Sequence, residues 1–305
     1  MGTPAFACPI LEGLLARPDP VVGVVCQPDR PRGRGLAVIA PEVKRVALEH
    51  GLPVLQPDRL RTPEARDSLA ALAPDLIVVA AYGKILPRAL LDLPPHGCIN
   101  VHASLLPRHR GAAPIQWAIL AGDAESGVTI MAMNEEMDAG DILLTRTTPI
   151  AADDTAATLG DRLSQMGAVA IGEAIDGIKA GIVIPTPQPA AGITFAPRIE
   201  REQGRIDWRR PAVELDRLVR AFAPTPSAFT TLGDRVLKVH RATPAAGGAA
   251  APGTVVDTGP DGIVVATGDG GLRLLEVQLE GRRRLDAAAF VAGQRLVPDT
   301  CLGQP

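Results

Sequence analysis

The sequence carries 305 residues, 46% of them apolar, with 31 Lys and Arg set against 34 Asp and Glu for a formal charge of −3. Such a length is ample for two domains, and the near balance of charge excludes a globally basic surface, so any nucleic-acid contact has to come from local patches. Cys8, Cys26, Cys98 and Cys301 are too dispersed for a disulfide frame, no apolar run reaches membrane-spanning length, and the first residues lack the basic-then-apolar layout of a secretory signal; a cytoplasmic protein is expected.

In chain order, the first half alternates strand and helix patterns, with short apolar runs at 21–26, 53–56, 76–81, 98–102 and 128–133. Alternation of this kind predicts an α/β domain built on a doubly wound, mostly parallel sheet covered by helices. Near Lys179 the texture changes. Pro185, Pro187, Pro189 and Pro197, spaced by Ala and Gly, interrupt any long helix, and residues 185–205 read as a linker. Beyond it come a helix at 211–222 and short strands near 228–232, 236–241, 254–256, 263–266 and 272–279, punctuated by Gly-rich turns. Five such strands predict a small OB-like barrel over 206–305, behind a first domain over 1–184.

The richest chemistry lies in the run CINVHASLLPRHRGAAP at 98–114. Side chains two apart on a strand share a face, so Asn100 and His102 stand side by side near a strand's end. An amide donor beside an imidazole suits a site that grips a carbonyl oxygen while a proton moves, as acyl transfer requires. Ser104-Leu105-Leu106-Pro107 then turns the chain into a loop that leads to a helix at 112–120, the strand–loop–helix layout in which ligands sit beyond the strand ends of open α/β sheets. Four acids crowd 135–141, and Asp138, with Gly140 close behind, is placed to reach the Asn100/His102 pair. His96, Cys98 and His102 lack the carboxylate-rich or CxxC spacing of a metal site, so no metal is expected. There is no GxxxxGK[ST] phosphate loop and no GxSxG nucleophile elbow.

The runs GTPAF (2–6), QPDRPRGRG (27–35), AAYGKILP (80–87), NVHASLLPRHRGAAPIQ (100–116), GVTIM (127–131) and MDAGDI (137–142) resemble, in this order, the methionyl-tRNA formyltransferase family. The resemblance implies transfer of a formyl group from 10-formyltetrahydrofolate to the α-amine of the methionine carried on initiator tRNA, in a two-domain chain expected to act as a monomer. It implies a catalytic trio of Asn100, His102 and Asp138 and a folate site lined by Ser104, Leu105, Leu106 and Pro107. Arg30, Arg32 and Arg34, alternating with Pro and Gly in a loop over 28–35, are expected to meet the tRNA, with Arg34 nearest the first base pair of the acceptor stem. Arg198, Arg201, Arg205, Arg209 and Arg210 extend a basic track through the linker. A formyltransferase for a nucleotide-linked amino sugar would share the trio but should lack the QPDRPRGRG run. The chain departs from the pattern at Leu36-Ala37-Val38, where relatives often carry lysines, and at its start. The family has an apolar strand ahead of the glycine turn, so a further strand before Met1 is expected.

Overall fold

The computed structural model describes residues 1–32, 37–294 and 296–303. Their contacts divide the chain into two units, one of 1–114, 125–149 and 160–198, the other of 115–124, 150–159 and 199–305.

The elements contributing to the first unit are α1 (Ala7–Leu15), β1 (Val24–Val25), β2 (Arg30–Arg32), β3 (Ala37–Ile39), α2 (Glu42–Glu49), β4 (Val54–Leu55), α3 (Pro63–Ala70), β5 (Ile77–Val79), α4 (Arg88–Leu91), β6 (Cys98–His102), α5 (Pro114–Ala121, all but its first residue in the second unit), β7 (Glu125–Ala132), β8 (Ile142–Pro149) and most of α6 (Ala156–Lys179). Their apolar side chains explain the arrangement. Ile99 and Val101 of β6 and Val128, Ile130 and Met131 of β7 are buried. Val25, Leu69, Ile77, Val79, Tyr82, Leu86, Leu90 and Cys98 form one core cluster, with α1 seated on α6 where Gly13 meets Ala168.

The predicted mostly parallel sheet is a mixed one. β1 pairs with β4 and β5 with β6 in parallel, but β6·β7 and β7·β8 are antiparallel. Only residues 133–141 separate β7 from β8, too few for the crossover that a parallel neighbour needs. Between β1 and β5 the chain's first residues take part in the sheet: the Met1 ammonium donates to the Val78 carbonyl at 2.5 Å, and Gly2 N–H donates to Val25 O at 3.0 Å while Ala80 N–H donates to Met1 O at 2.9 Å. Beside them lies a cavity of about 400 Å³, lined by Ile10, Leu14, Val24, Leu72, Ile77 and Ile175 among others.

In the second unit, α7 (Ala212–Phe222) buries Leu215, Leu218, Val219 and Phe222. Strands β9 (Ala228–Leu232), β10 (Arg235–Ala245), β11 (Val255–Gly259), β12 (Gly262–Ala266), β13 (Gly271–Leu279) and β14 (Leu285–Asp286) form one antiparallel sheet in the order β11-β12-β13-β10-β9, with β14 on β13, and α8 (Ala287–Gln294) follows. The expected barrel is not closed: no ladder among the described residues joins β9 to β11. The irregular segment 299–303 reaches both edges instead, bonding the β11 edge through Asp299 N–H on Val255 O, Val255 N–H on Thr300 O and Leu302 N–H on Gly253 O, and the β9 edge through Gly303 N–H on Thr231 O.

Candidate active site

Asn100 and His102 occupy alternate positions of β6, and both are nearly buried, at 9% and 5% exposure. The Asn100 amide makes no hydrogen bond with any described residue. Its polar atoms are not among the fully enclosed ones that lack a partner, so this amide reaches the surface and is available to a bound group. His102 is held more firmly. Its Nε2 lies 3.0 Å from the carbonyl oxygen of His109. A carbonyl only accepts, so this contact puts the proton on Nε2 and turns Nδ1 toward Asp138, whose Oδ1 lies 3.6 Å away.

Asp138 reaches this position by an indirect route. Because β7 runs antiparallel to β6, with Ile99 opposite Ala132 and His102 opposite Thr129, the end of β7 lies beside the start of β6. The loop 133–141 therefore folds back along β6 to bring the carboxylate to His102. Asp138 adopts a left-handed backbone with φ of 50°, uncommon for a residue with a side chain. Gly140 passes so close to β7 that a Cβ there would lie 1.8 Å from Ala132 O. The Asp138 carboxylate also accepts from Gly111 N–H through Oδ2 at 2.8 Å.

The run expected to line a folate site forms the loop leaving β6. Ser104 is buried, and its hydroxyl donates to Arg108 O at 2.6 Å. Thr129 on β7 ties the loop down, its hydroxyl donating to Ser104 O at 2.7 Å and accepting from Leu106 N–H at 3.2 Å. Leu106 is buried, whereas Leu105 and Pro107 are half-buried. Leu105 packs over Gly127, where a Cβ would lie 2.5 Å from its Cδ2.

The described part of the arginine run includes a strand, Arg30–Arg32, rather than being loop throughout. β2 and β3 pair antiparallel, with Arg30 opposite Ile39 and Arg32 opposite Ala37. Lys44 pins its base by binding Asp29 Oδ1 and Oδ2 at 3.0 and 2.7 Å. Gln56 donates to Asp29 Oδ1 at 2.7 Å, and this bond, then Lys44, holds the Asp29 carboxyl below its ordinary range. Arg30 is exposed, and no hydrogen bond or ion pair joins it to Asn100, His102 or Asp138. Arg34 lies outside the described residues. Of the arginines along the linker, Arg201 and Arg205 stand over the Phe229 ring at 5.9 and 5.0 Å, and Arg209 and Arg210 pair with Asp207 and Glu214. Among the described residues no group of His, Cys, Asp or Glu is arranged to hold a metal, and no helix is long and apolar enough to cross a membrane.

Three participants escaped sequence reasoning: the His109 carbonyl, the Gly111 amide and Gln188, which bonds the carbonyls of Asp138 and Gly140 at 2.9 and 2.8 Å. The first two act through the backbone, which carries no residue-type signal. Gln188 stands 50 positions from its partner in a proline-rich stretch.

Residues 2–175 match the formyl transferase family model and residues 198–295 that of the formyl transferase C-terminal domain. The methionyl-tRNA formyltransferase of Myxococcus xanthus (strain DK1622) is 54% identical over 298 residues, 98% of this chain and 95% of that one. The chain belongs to the methionyl-tRNA formyltransferase family. The methionyl-tRNA formyltransferase of Trichlorobacter lovleyi is similarly related, at 50% identity over 99% of this chain and 95% of its own. At the level of fold, this formyltransferase resembles WlaRD, a sugar 3N-formyl transferase solved with dTDP and 5-N-formyl-THF, with a TM-score of 0.67 and 18% identity over 92% of this chain and 97% of that one. It also resembles HypX from Aquifex aeolicus in complex with tetrahydrofolic acid, with a TM-score of 0.61 and 21% identity over 88% of this chain and 46% of that one.

Proposed function

We propose that this chain transfers the formyl group of 10-formyltetrahydrofolate to the α-amino group of methionine on initiator methionyl-tRNA, in the cytoplasm and in support of translation initiation. The observation that carries the reading is the free Asn100 amide beside a His102 held between the His109 carbonyl and the Asp138 carboxylate, in a chain about half identical to methionyl-tRNA formyltransferases over nearly its whole length.

The chemistry divides among these residues. An α-amine has a pKa of about 7.7 to 8.0 and attacks only when neutral, so a base must accept its proton. Asp138, its carboxylate anchored by Gly111 N–H, takes that role directly or through a water. Asn100 meets the oxygen of the formyl carbonyl, where negative charge develops as the amine adds. As the imidazolium, with a proton on Nδ1 as well, His102 donates to the same oxygen, its Nε2 proton being engaged by the His109 carbonyl. Such a site also suits the folate: the loop that presents half-buried Leu105 and Pro107 supplies apolar contact, while the Ser104 hydroxyl shapes that loop from within. The folate supplies an activated formyl group: as the tetrahedral adduct collapses, the bond from the formyl carbon to N10 breaks, and N10 leaves with the proton that the amine gave up. Arg30 and Arg32 of β2, with Arg34 further along the same run of sequence, are the residues we assign to the tRNA, by phosphate attraction at the acceptor end.

A formylation assay with charged initiator tRNA, uncharged tRNA and a nucleotide-linked amino sugar, each with 10-formyltetrahydrofolate, tests the reading. Transfer to the charged initiator alone is expected. Transfer to the amino sugar in preference to the tRNA would replace this reading with a sugar formyltransferase.

A further inference from the structure

We propose that Gln188 is a positioning residue that clamps the Asp138 loop, and that the proline-rich stretch around it is a strap over the site rather than a linker. The inference rests on the catalytic reading of Asp138 given above. Every polar atom of the Gln188 amide is engaged. Its Nε2 donates to Asp138 O at 2.9 Å and to Gly140 O at 2.8 Å, and its Oε1 accepts from Arg110 Nε at 3.1 Å and Nη2 at 2.7 Å. One planar amide thus spans the two segments that carry the site, the loop after β6 and the loop after β7.

The strap is itself stitched down on both sides of Gln188. Thr186 exchanges backbone hydrogen bonds with Ile142 at the start of β8, at 2.8 and 2.9 Å. Further on, His109 N–H donates to the Thr194 hydroxyl at 2.8 Å, Arg110 N–H to Thr194 O at 2.9 Å, and Ala196 N–H to Arg110 O at 2.7 Å. The same backbone that presents the His109 carbonyl to His102 is therefore held by the strap.

What the clamp opposes is local. Asp138 sits at a φ of 50°, a conformation that an unrestrained loop leaves readily. Its carboxylate must also stay near His102 Nδ1 and on Gly111 N–H. Two hydrogen bonds to the carbonyls at 138 and 140 fix the peptide planes that follow Asp138 and Gly140, which restrains the backbone from which the Asp138 side chain projects. Within the same loop Glu135 and Glu136 are exposed.

The test uses the full chain with Gln188→Ala and Gln188→Glu. Glutamate keeps the length and the acceptor for Arg110 but has no N–H for the two carbonyls, so both variants should lose the clamp. Expected is a fall in kcat of about 10- to 100-fold for each, with KM for folate and for methionyl-tRNA within about twofold and the melting temperature close to that of the wild type. Amide exchange of 134–141 should quicken about tenfold in both variants, and this is read by mass spectrometry whether or not the acceptor has been correctly identified. Full kcat in Gln188→Glu, or unchanged exchange over 134–141, would overturn the proposal. So would a loss of activity that tracks a lowered melting temperature with kcat and KM changing together. A wild-type chain inactive on charged tRNA would instead count against the proposed function and leave the exchange experiment to decide the clamp.

Discussion

Asn100 and Thr129 show how differently two buried polar side chains respond to removal. The Asn100 amide has no partner among the described residues, so Asn100→Ala orphans none of them and should leave the melting temperature within a few degrees of the wild type. Its loss should appear in catalysis, as a fall of about 10² to 10³ in kcat, the usual cost of removing one donor to a developing oxyanion. Steady-state kinetics beside a thermal melt checks both halves, and a variant that melts early while keeping its kcat would contradict the assignment. Thr129 is tied on both sides, to Ser104 O and to Leu106 N–H. Removing its hydroxyl strands two loop groups, and burial without a partner costs about 1 to 3 kcal/mol each. The same distinction explains what could be read in advance. Asn100 and His102 were visible because the strand period of two places them on one face. The His109 carbonyl was not, because any residue has one.

At the scale of elements, the folded-back loop between β7 and β8 depends on Gly140. An added Cβ would lie 1.8 Å from Ala132 O and 2.9 Å from Ala132 C, and backbone atoms cannot swing aside. Gly140→Ala should therefore displace the loop, break the contacts at 138 and 140, and lower kcat by more than about tenfold while costing about 1 to 3 kcal/mol of stability. Kinetics and a urea titration would show it, and wild-type kcat would mean that the loop adapts without moving Asp138. The edge between β1 and β5 makes a second prediction. There the Met1 ammonium nitrogen is enclosed by the sheet, and burial lowers its pKa from 8.0 to about 6. The unfolded chain thus binds more protons than the folded one between pH 6 and 8, so stability should rise with pH through that window, by about 2 to 3 kcal/mol in all. Burial also lowers the pKa of His240, which adds a contribution of the same sign near the lower end. Urea midpoints at pH 6 and pH 8.5 measure the rise, and a flat profile would show that the ammonium is hydrated. A chain with residues ahead of Met1 has no ammonium at this position and should lose that part of the rise.

For the whole molecule, a formal charge of −3 leaves attraction for tRNA to local arginines. Several of these are already engaged: Arg209 with Asp207, Arg210 with Glu214, and Arg201 and Arg205 with the Phe229 face. Arg30, exposed on β2, has no such partner among the described residues. Arg30→Ala should lower kcat/KM for methionyl-tRNA while sparing the KM for folate, and should flatten the log–log salt dependence by about one unit if the contact is to a phosphate. Initial rates between low and moderate salt give the slope, and an unchanged slope would remove this arginine from the tRNA surface.

By itself the sequence determined the order and rough span of most strands, the Asn100/His102 face, and the family. Each of these is written locally, in side-chain alternation, turn residues and contiguous motifs. Strand 98–102 and strand 228–232 appear in the structure with the bounds their patterns predicted. Only the tertiary structure decided the pairings. The direction of β7 and β8, the absence among the described residues of a ladder between β9 and β11, and the bonds that Gln188, in a stretch that reads as a linker, makes to the Asp138 loop all depend on partners dozens of residues apart. Proline spacing reports that a segment is not helical and says nothing about what its glutamine touches. A carboxylate in an acidic run likewise becomes Asp138, 3.6 Å from an imidazole, only once an antiparallel strand has forced its loop to turn back.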